Sequence, residues 1–407
     1  MPEALIASVA RSPIGRALKG SLTGLRPDDL AAKMVQSAIA AVPALDPAEI
    51  EDLYLGCGEP YDEQGANIAR RVAVLAGLDG LPGATINRFC SSSLQTTRMA
   101  MHAIRAGEGD VFVSAGVECV SRYADPRGGG AVAARFRNPR FAESEARAQR
   151  VAAGDQPWSD PRRDGSLPDI YLGMGQTAEN VASLCGVTRE QQDRYAVRSQ
   201  NRAERAIGEG FFAREIVPVE LPDGTVISSD DGPRAGTTYE TVAALEPVFR
   251  SPGTVTAGNS CPLNDGAAAI VVISERRAEQ LGIEPLARIV ATGVSALSPE
   301  IMGLGPVQAS RQALARAALT IEDVDLVEIN EAFAAQVIAC ARELRIAPDR
   351  LNVHGGAIAL GHPFGMTGAR ICATLINGLR ARGGRYGLET MCVGGGQGMA
   401  MILELLG

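Results

Sequence analysis

No stretch of this chain approaches 18 uninterrupted apolar residues, so a membrane-spanning helix is not expected. Basic residues are in the minority. The 39 Lys and Arg against 47 Asp and Glu give a formal net charge of −8, which argues against general nucleic-acid binding. It does not argue against a small anionic ligand, which a few local arginines can serve. The start, MPEALIASVARSPIG, has no basic flank followed by a continuous apolar run, and reads as a first β-strand, not an export signal. The eight cysteines are scattered and none forms Cys-x-x-Cys, so neither a metal site nor a disulfide framework is expected. Without an export signal they should be reduced thiols in the cytoplasm, most of them small core hydrophobes. Histidine is scarce too. There are three, so any imidazole chemistry has few candidates.

What is present suits a globular protein. The 407 residues are 46% hydrophobic and 21% charged, enough for a sizeable core and for two or three packed units. Short β-branched runs at 53–56, 111–115, 269–273, 326–329 and 399–403 read as buried strands. Segments 30–42, 91–106, 189–209, 308–318 and 369–382 read as helices. This alternation predicts an α/β layered fold.

The two ends of the chain resemble each other. Ile50-Glu51-Asp52-Leu53-Tyr54-Leu55 is echoed by Ile321-Glu322-Asp323-Val324-Asp325-Leu326. The helix ending Ile104-Arg105-Ala106-Gly107 is echoed by Leu379-Arg380-Ala381-Arg382-Gly383, and each precedes a strand. The offset is about 270 residues in both cases. Two long copies predict duplicated halves packed face to face, with a site between them. Residues 122–169 are rich in Gly, Arg, Pro and Asp with weak periodicity, and helical patterns follow at 175–184 and 189–209. We read this as a lid or loop domain inserted into the first half. Its arginines are either a solvated face or contacts to an anion.

Four segments carry candidate chemistry. In Asn87-Arg88-Phe89-Cys90-Ser91-Ser92-Ser93-Leu94 a strand-like approach gives way to a helix. Ser91–Ser93 suit its cap and first turn. Cys90 then sits where unpaired N–H groups and the helix dipole favour a thiolate. A buried cysteine beside an ordinary cap is the competing reading. Residues 354–368, HGGAIALGHPFGMTG, hold five glycines and imply tight turns. His362 stands before another expected strand-to-helix junction, the repeat counterpart of Cys90, and a Cys–His pair is the minimal activated thiol. His102 reads as structural or partly exposed, and His354 as a locally hydrogen-bonded turn residue. In Met391-Cys392-Val393-Gly394-Gly395-Gly396-Gln397-Gly398 a strand runs into a glycine loop able to aim N–H groups at an oxyanion. In Glu328-Ile329-Asn330-Glu331-Ala332-Phe333 Asn330 is placed to orient a water or a histidine. Glu331 is placed to pair with an arginine or to cap the next helix.

Together and in this order, these segments resemble the thiolase family over nearly the whole chain. Condensing enzymes of fatty-acid synthesis share the fold but lack the second cysteine, so Cys392 favours thiolase. The resemblance implies the thiolase fold: two layered α/β halves in five layers (αβαβα) with an inserted loop domain. The halves are expected at 1–118 with 251–275 and at 276–407, and the insertion at 119–250. It implies Cys90 as acyl carrier, His362 as the base beside it, and Cys392 as the acid or base at the α-carbon. It places Asn330 with His362 around one oxyanion hole, and the N–H groups of Cys90 and Gly394 around another. Arg234, Ser260, Cys261, Met302 and Phe333 would contact CoA or the acyl chain; Cys261 departs from the serine common in relatives. Coenzyme A would be substrate and product, with no permanently bound cofactor and no metal. The partners would be CoA thioesters and further copies of the chain, as a dimer or tetramer, without nucleic acid or membrane. Cys90-Ser91-Ser92-Ser93, and Gly173 before Met174-Gly175 where biosynthetic relatives carry His, lean toward cleavage of 3-ketoacyl-CoA. Acetyl-CoA acetyltransferase activity is the alternative. A non-catalytic acyl-CoA or sterol-carrier-like binding protein is the different-class reading, against which stands the presence of Cys90, His362 and Cys392.

Overall fold

The computed structural model describes residues 2–123 and 134–407. Part of the Arg-rich stretch, residues 124–133, lies outside the described residues. The first half contributes strands β1 (Ala4–Arg11), β2 (Gly15–Arg16), β3 (Asp52–Cys57), β4 (Gly83–Ile86) and β5 (Val111–Cys119), with helices α1 (Pro27–Ala40), α2 (Ile68–Leu75) and α3 (Ser92–Ala106). The insertion follows, with α4 (Ala142–Ala153), α5 (Met174–Leu184), α6 (Arg189–Gly208), the small hairpin β6 (Val219–Glu220) and β7 (Val226–Ile227), and α7 (Tyr239–Ala243). The chain then returns as β8 (Asn264–Ser274), α8 (Glu275–Leu281) and β9 (Ala287–Ala296). It closes with α9 (Gly305–Ala317), β10 (Leu326–Ile329), α10 (Ala334–Leu344), α11 (Ala357–Leu360), α12 (Thr367–Arg382), β11 (Tyr386–Val393) and β12 (Gln397–Leu405).

The duplication is visible in the strand pairing. In the first half β3 runs parallel to β5, and β8 lies antiparallel to β5 and β1. In the second β10 runs parallel to β11, and β12 lies antiparallel to β11 and β9. The halves are also joined edge to edge, since Leu5 and Ile6 of β1 pair with Arg288 and Ala287 of β9. The result is one ten-stranded sheet in the order β10-β11-β12-β9-β1-β8-β5-β3-β4, with β2 beside β8. The echoed segments at Ile50 and Ile321 each follow or form a single 3-10 turn leading into β3 and β10.

Side-chain burial gives the layers. Leu94, Met101 and Ile104 of α3 and Ile371, Leu375 and Ile376 of α12 share one core with residues from the strands of both halves. These two helices therefore form a middle layer. On the far face of the first half, Leu30, Met34 and Val35 of α1 and Val72 of α2 pack on β3, β5 and β8. On the far face of the second, Val307 and Ala313 of α9 and Val337 of α10 pack on β10, β11 and β12. Each sheet face is covered, which is why the strands read as continuous apolar runs.

The insertion holds more regular structure than its sequence suggested. Helix α4 buries only Ser144, Ala148 and Val151, too narrow an apolar stripe to stand out as a period. Of its arginines, Arg122 pairs with Glu63, Arg137 with Glu145 and Arg147 with the buried Glu300. Among the described residues no helix is long and apolar enough to cross a membrane.

Candidate active site

The site is built where the middle-layer helices begin. Phe89 has φ 44°, the left-handed region that non-glycine residues rarely enter. This turns the chain sharply into the 3-10 segment Phe89–Ser91 that carries Cys90 ahead of α3. The serines act differently from simple caps. Ser91 at the helix start makes no side-chain cap bond. Ser92 accepts from Arg88 N–H and donates to the Phe89 carbonyl, bracing the bend. Ser93 Oγ accepts the Ala369 N–H of α12 at 3.0 Å, tying the two helix starts together across the duplication.

His362 lies on the other side of that tie. The expected strand before it is instead α11, a single turn following the loop at Val353–Gly356. The backbone N–H of His362 is held by Asn264 Oδ1 at 2.9 Å, and Asn264 in turn donates to the Gly15 carbonyl. The imidazole is oriented at both nitrogens. Nδ1 lies 2.6 Å from Thr367 Oγ1, whose own proton goes to the Pro363 carbonyl at 2.7 Å. The hydroxyl therefore accepts, and Nδ1 carries the hydrogen. Nε2 keeps its lone pair and accepts from Asn330 Nδ2 at 3.2 Å. Asn330 Oδ1 has no protein partner.

Cys392 sits on β11 opposite Gly398 of β12, just before the Gly394–Gly396 turn. Gly395 and Gly396 have φ 74° and 80°. A Cβ on Gly396 would come within 2.3 Å of the Leu297 carbonyl oxygen, so the turn requires glycine there. The Gly394 N–H is directed at the Cys90 thiol. Cys90, Cys261 and Cys392 lie near enough that a charge on one disfavours ionisation of its neighbours.

The electrostatics reverse one expectation. Burial pushes the Cys90 thiol up to about 12, and the hydrogen bonds from Gly394 and from its own backbone N–H offset this only in part. Burial, with Arg370 as a second contributor, pushes His362 down to about 3. Desolvation outweighs the helix terminus at both groups, although only His362 is fully enclosed and Cys90 keeps partial exposure. Both shifts favour the neutral forms, thiol at Cys90 and imidazole at His362. Burial, then the other cysteines, raises Cys392 as well.

Of the residues expected at the substrate, Met302 and Phe333 share an apolar cluster with Ala178, Val255 and Cys392, and Cys261 packs against it. Ser260 bridges to Phe333, and its hydroxyl donates to the Thr256 carbonyl. Arg234 is exposed and its backbone N–H is anchored to Gln200 on α6.

Several residues were invisible to motif reasoning. Thr367 lay in the same glycine-rich segment as His362 and Asn264 far from it in sequence, yet nothing in spacing linked either to the imidazole. Glu118 ends β5 and accepts from the backbone N–H groups of Gly58 and Gly365, from Gln64 and from the Tyr123 hydroxyl. It thus pins the His362 loop to the first half. Among the described residues Glu331 pairs with no arginine, and it does not cap α10, which starts after Phe333. It accepts from Tyr195, Ser199, Asn352 and the Ile358 N–H, joining the insertion, the Asn330 loop and α11. Of the other histidines, His102 is exposed as expected. His354 is not locally hydrogen-bonded: its Nδ1 has no partner, and the ring stacks on Phe211 at 3.7 Å.

The chain matches two family descriptions end to end: "Thiolase, N-terminal domain" over residues 4–276 and "Thiolase, C-terminal domain" over 283–405. It is 41% identical to a 3-ketoacyl-CoA thiolase of Bacillus subtilis, covering 100% of both chains. It is 44% identical to a β-ketoadipyl-CoA thiolase of Escherichia coli, over 99% of this chain and 100% of that one. Among solved structures, the acetyl-CoA acetyltransferase of Bacillus anthracis superposes with a TM-score of 0.86 at 38% identity, covering 100% of this chain and 99% of that one. The duplicated sheet, the two cysteine-bearing turns and these similarities agree: the chain belongs to the thiolase family.

Proposed function

We propose that this protein is a CoA-dependent acyltransferase that cleaves 3-ketoacyl-CoA to acetyl-CoA and a shortened acyl-CoA through a thioester on Cys90. The observation that carries this reading is the placement of two thiols, Cys90 and Cys392, about one glycine turn whose Gly394 N–H points at Cys90. One sulfur forms a bond to the acyl carbon while a second handles the proton at the α-carbon.

In cleavage, Cys90 Sγ attacks the 3-keto carbon as its proton passes to His362 Nε2, the unprotonated ring nitrogen, which exchanges its Asn330 contact for that proton. The Cys90 and Gly394 N–H groups hold the tetrahedral oxyanion. The bond to the α-carbon breaks, and the electron pair goes into an enolate whose oxygen lies against His362 and a water held by Asn330. Cys392 protonates the α-carbon, and acetyl-CoA leaves. A second CoA then gives its thiol proton to the Cys392 thiolate and attacks the thioester; the shortened acyl-CoA leaves, and Cys90 recovers its proton from His362. Each oxyanion donor is worth roughly 2.7–4 kcal/mol in such sites. Starting from a neutral pair suits this sequence, because no charge is buried until substrate fills the groove.

The apolar surroundings of Met302, Phe333 and Val255 support an apolar acyl chain over one ending in a carboxylate. Condensation of two acetyl-CoA molecules is the reverse reaction on the same residues, and the Bacillus anthracis acetyltransferase supports keeping it as a second reading. All eight cysteines are free thiols, which suits a cytoplasmic setting. The open outer edge of β4 supports assembly into a homo-oligomer. A panel of 3-ketoacyl-CoA substrates of increasing length, a 3-ketodicarboxyl-CoA and acetoacetyl-CoA, assayed for CoA-dependent loss, tests the reading. Cleavage of the longer apolar chains with labelled acyl trapped on Cys90 is expected. Activity confined to acetoacetyl-CoA would transfer the assignment to the acetyltransferase.

A further inference from the structure

A second concave site lies on the outer face of the second half. The distal part of α10, the segment after it and α6 enclose a groove of about 400 Å³ lined by Tyr195, Arg198, Ile338, Arg342, Arg345 and Leu351, among others. It is separate from the acyl cluster. Arg345 stands twelve residues beyond Phe333, about 18 Å along a helix axis at 1.5 Å per residue.

Its charge is unbalanced. Nearby arginines are paired, Arg194 with Glu190 and Arg311 with Glu343. Arg198, Arg342 and Arg345 stand in no ion pair among the described residues. Arg202, one turn beyond Arg198, uses its guanidinium on the carbonyls of Pro348, Leu351 and Asn352, which fixes the far wall and adds positive charge. The C-terminal end of α10 accounts for a basic residue near Arg342 and Arg345. It does not account for Arg198 in mid-helix, laid 4.6 Å over the Tyr195 ring, nor for the apolar wall of Ile338, Ile346 and Leu351.

We propose that this groove binds a phosphorylated small molecule with an aromatic or apolar body. Arg198, Arg342 and Arg345 hold the phosphates, and Ile338, Leu351 and the Arg198–Tyr195 stack receive the body. Guanidinium forks match phosphate oxygens in pairs, and the volume lies in the range of small-ligand pockets, about 300–1,000 Å³. The floor of the groove connects inward, because the Tyr195 hydroxyl donates to Glu331 Oε1 at 2.8 Å, next to Asn330.

Isothermal titration of the full chain with ATP as probe tests this, with inorganic triphosphate and adenosine as separate arms. Saturable binding of ATP is expected, with triphosphate weaker and adenosine weakest. The double variant Arg342→Glu/Arg345→Glu should weaken ATP by at least about tenfold while thiolysis and melting temperature stay at wild-type values. Arg345→Glu alone provides the same comparison with a single exposed change. Absence of saturable heat, undiminished affinity in both variants, or adenosine binding as tightly as ATP would overturn the proposal. So would loss of ATP binding in Arg234→Glu with retention in the double variant, which would place the probe in the CoA groove.

Discussion

Thr367→Val keeps the side-chain shape and removes one hydroxyl from behind the His362 imidazole, the base of the proposed mechanism. In the native protein that hydroxyl fixes the tautomer: it accepts Nδ1–H at 2.6 Å and sends its own proton to the Pro363 carbonyl. The carbonyl does not suffer from the change, since the Met366 and Thr367 N–H groups also reach it. The loss falls on His362, which is almost wholly enclosed. Either Nδ1–H stays unpaired, or the proton moves to Nε2, where it faces the Asn330 amide donor at 3.2 Å and removes the lone pair that must take the Cys90 proton. Both routes penalise the working state by the cost of an unmet buried hydrogen bond, about 1–3 kcal/mol. That corresponds to about a 5- to 150-fold fall in kcat, with KM little changed because no substrate contact is lost. The assay is CoA-dependent loss of a 3-ketoacyl-CoA substrate by wild type, Thr367→Val and Thr367→Ser at matched folding. Thr367→Ser, which retains the hydroxyl, should recover most of the rate. A valine variant within about twofold of wild type, or a serine variant as slow as valine, would refute the assignment of Thr367 as a positioning residue.

Cys392→Ala should still accept an acyl group from acyl-CoA onto Cys90, yet lose carbon–carbon cleavage by about 10²- to 10⁴-fold; equal loss in both half-reactions would show Cys392 serving Cys90 instead. Glu331→Gln should destabilise the fold by about 1–3 kcal/mol in urea unfolding, because an amide cannot accept at both ends from Tyr195, Ser199, Asn352 and Ile358; an unchanged midpoint would contradict the joint drawn here. His362 makes stability depend on pH in one direction. Its folded pKa near 3 lies below the ordinary histidine value of 6.5, so its contribution is complete above about pH 6.5 and is lost as pH falls toward 3, by about 1.4 kcal/mol per unit. His362→Gln should flatten that acid limb of the stability profile, and an unchanged slope would show that other groups set it.

Much of the fold was legible along the chain. Strands β10 at Leu326–Ile329 and β12 at Gln397–Leu405 fall on the short runs read at 326–329 and 399–403, because strands buried on both faces leave apolar stretches. Helix α6 falls on the helical pattern read at 189–209, and Thr188 with Gln191 closes its start with a full capping box. The duplication, too, could be read from paired strand entries. Helix α4 was missed because an exposed helix buries too few apolar residues to show a period. The short helix before His362 was missed because glycines at 355, 356 and 361 fit many turns equally well.

For the site, residue types offered Cys90, His362 and Asn330 as candidates at points where chain direction changes, and the resemblance to the thiolase family, resting on four segments in order, implied their roles and that of Cys392. What the chain order could not supply was the charge state. A helix start argues for a thiolate; packing supplies the desolvation that pushes the Cys90 thiol up and His362 down, toward their neutral forms. Nor could it supply Thr367, Asn264, Glu118 and Glu331, whose partners are far away in sequence or reached by an uncommon turn. Local chemistry is written in neighbouring residues, whereas dielectric environment and long-range hydrogen bonds exist only once the two halves have closed on each other.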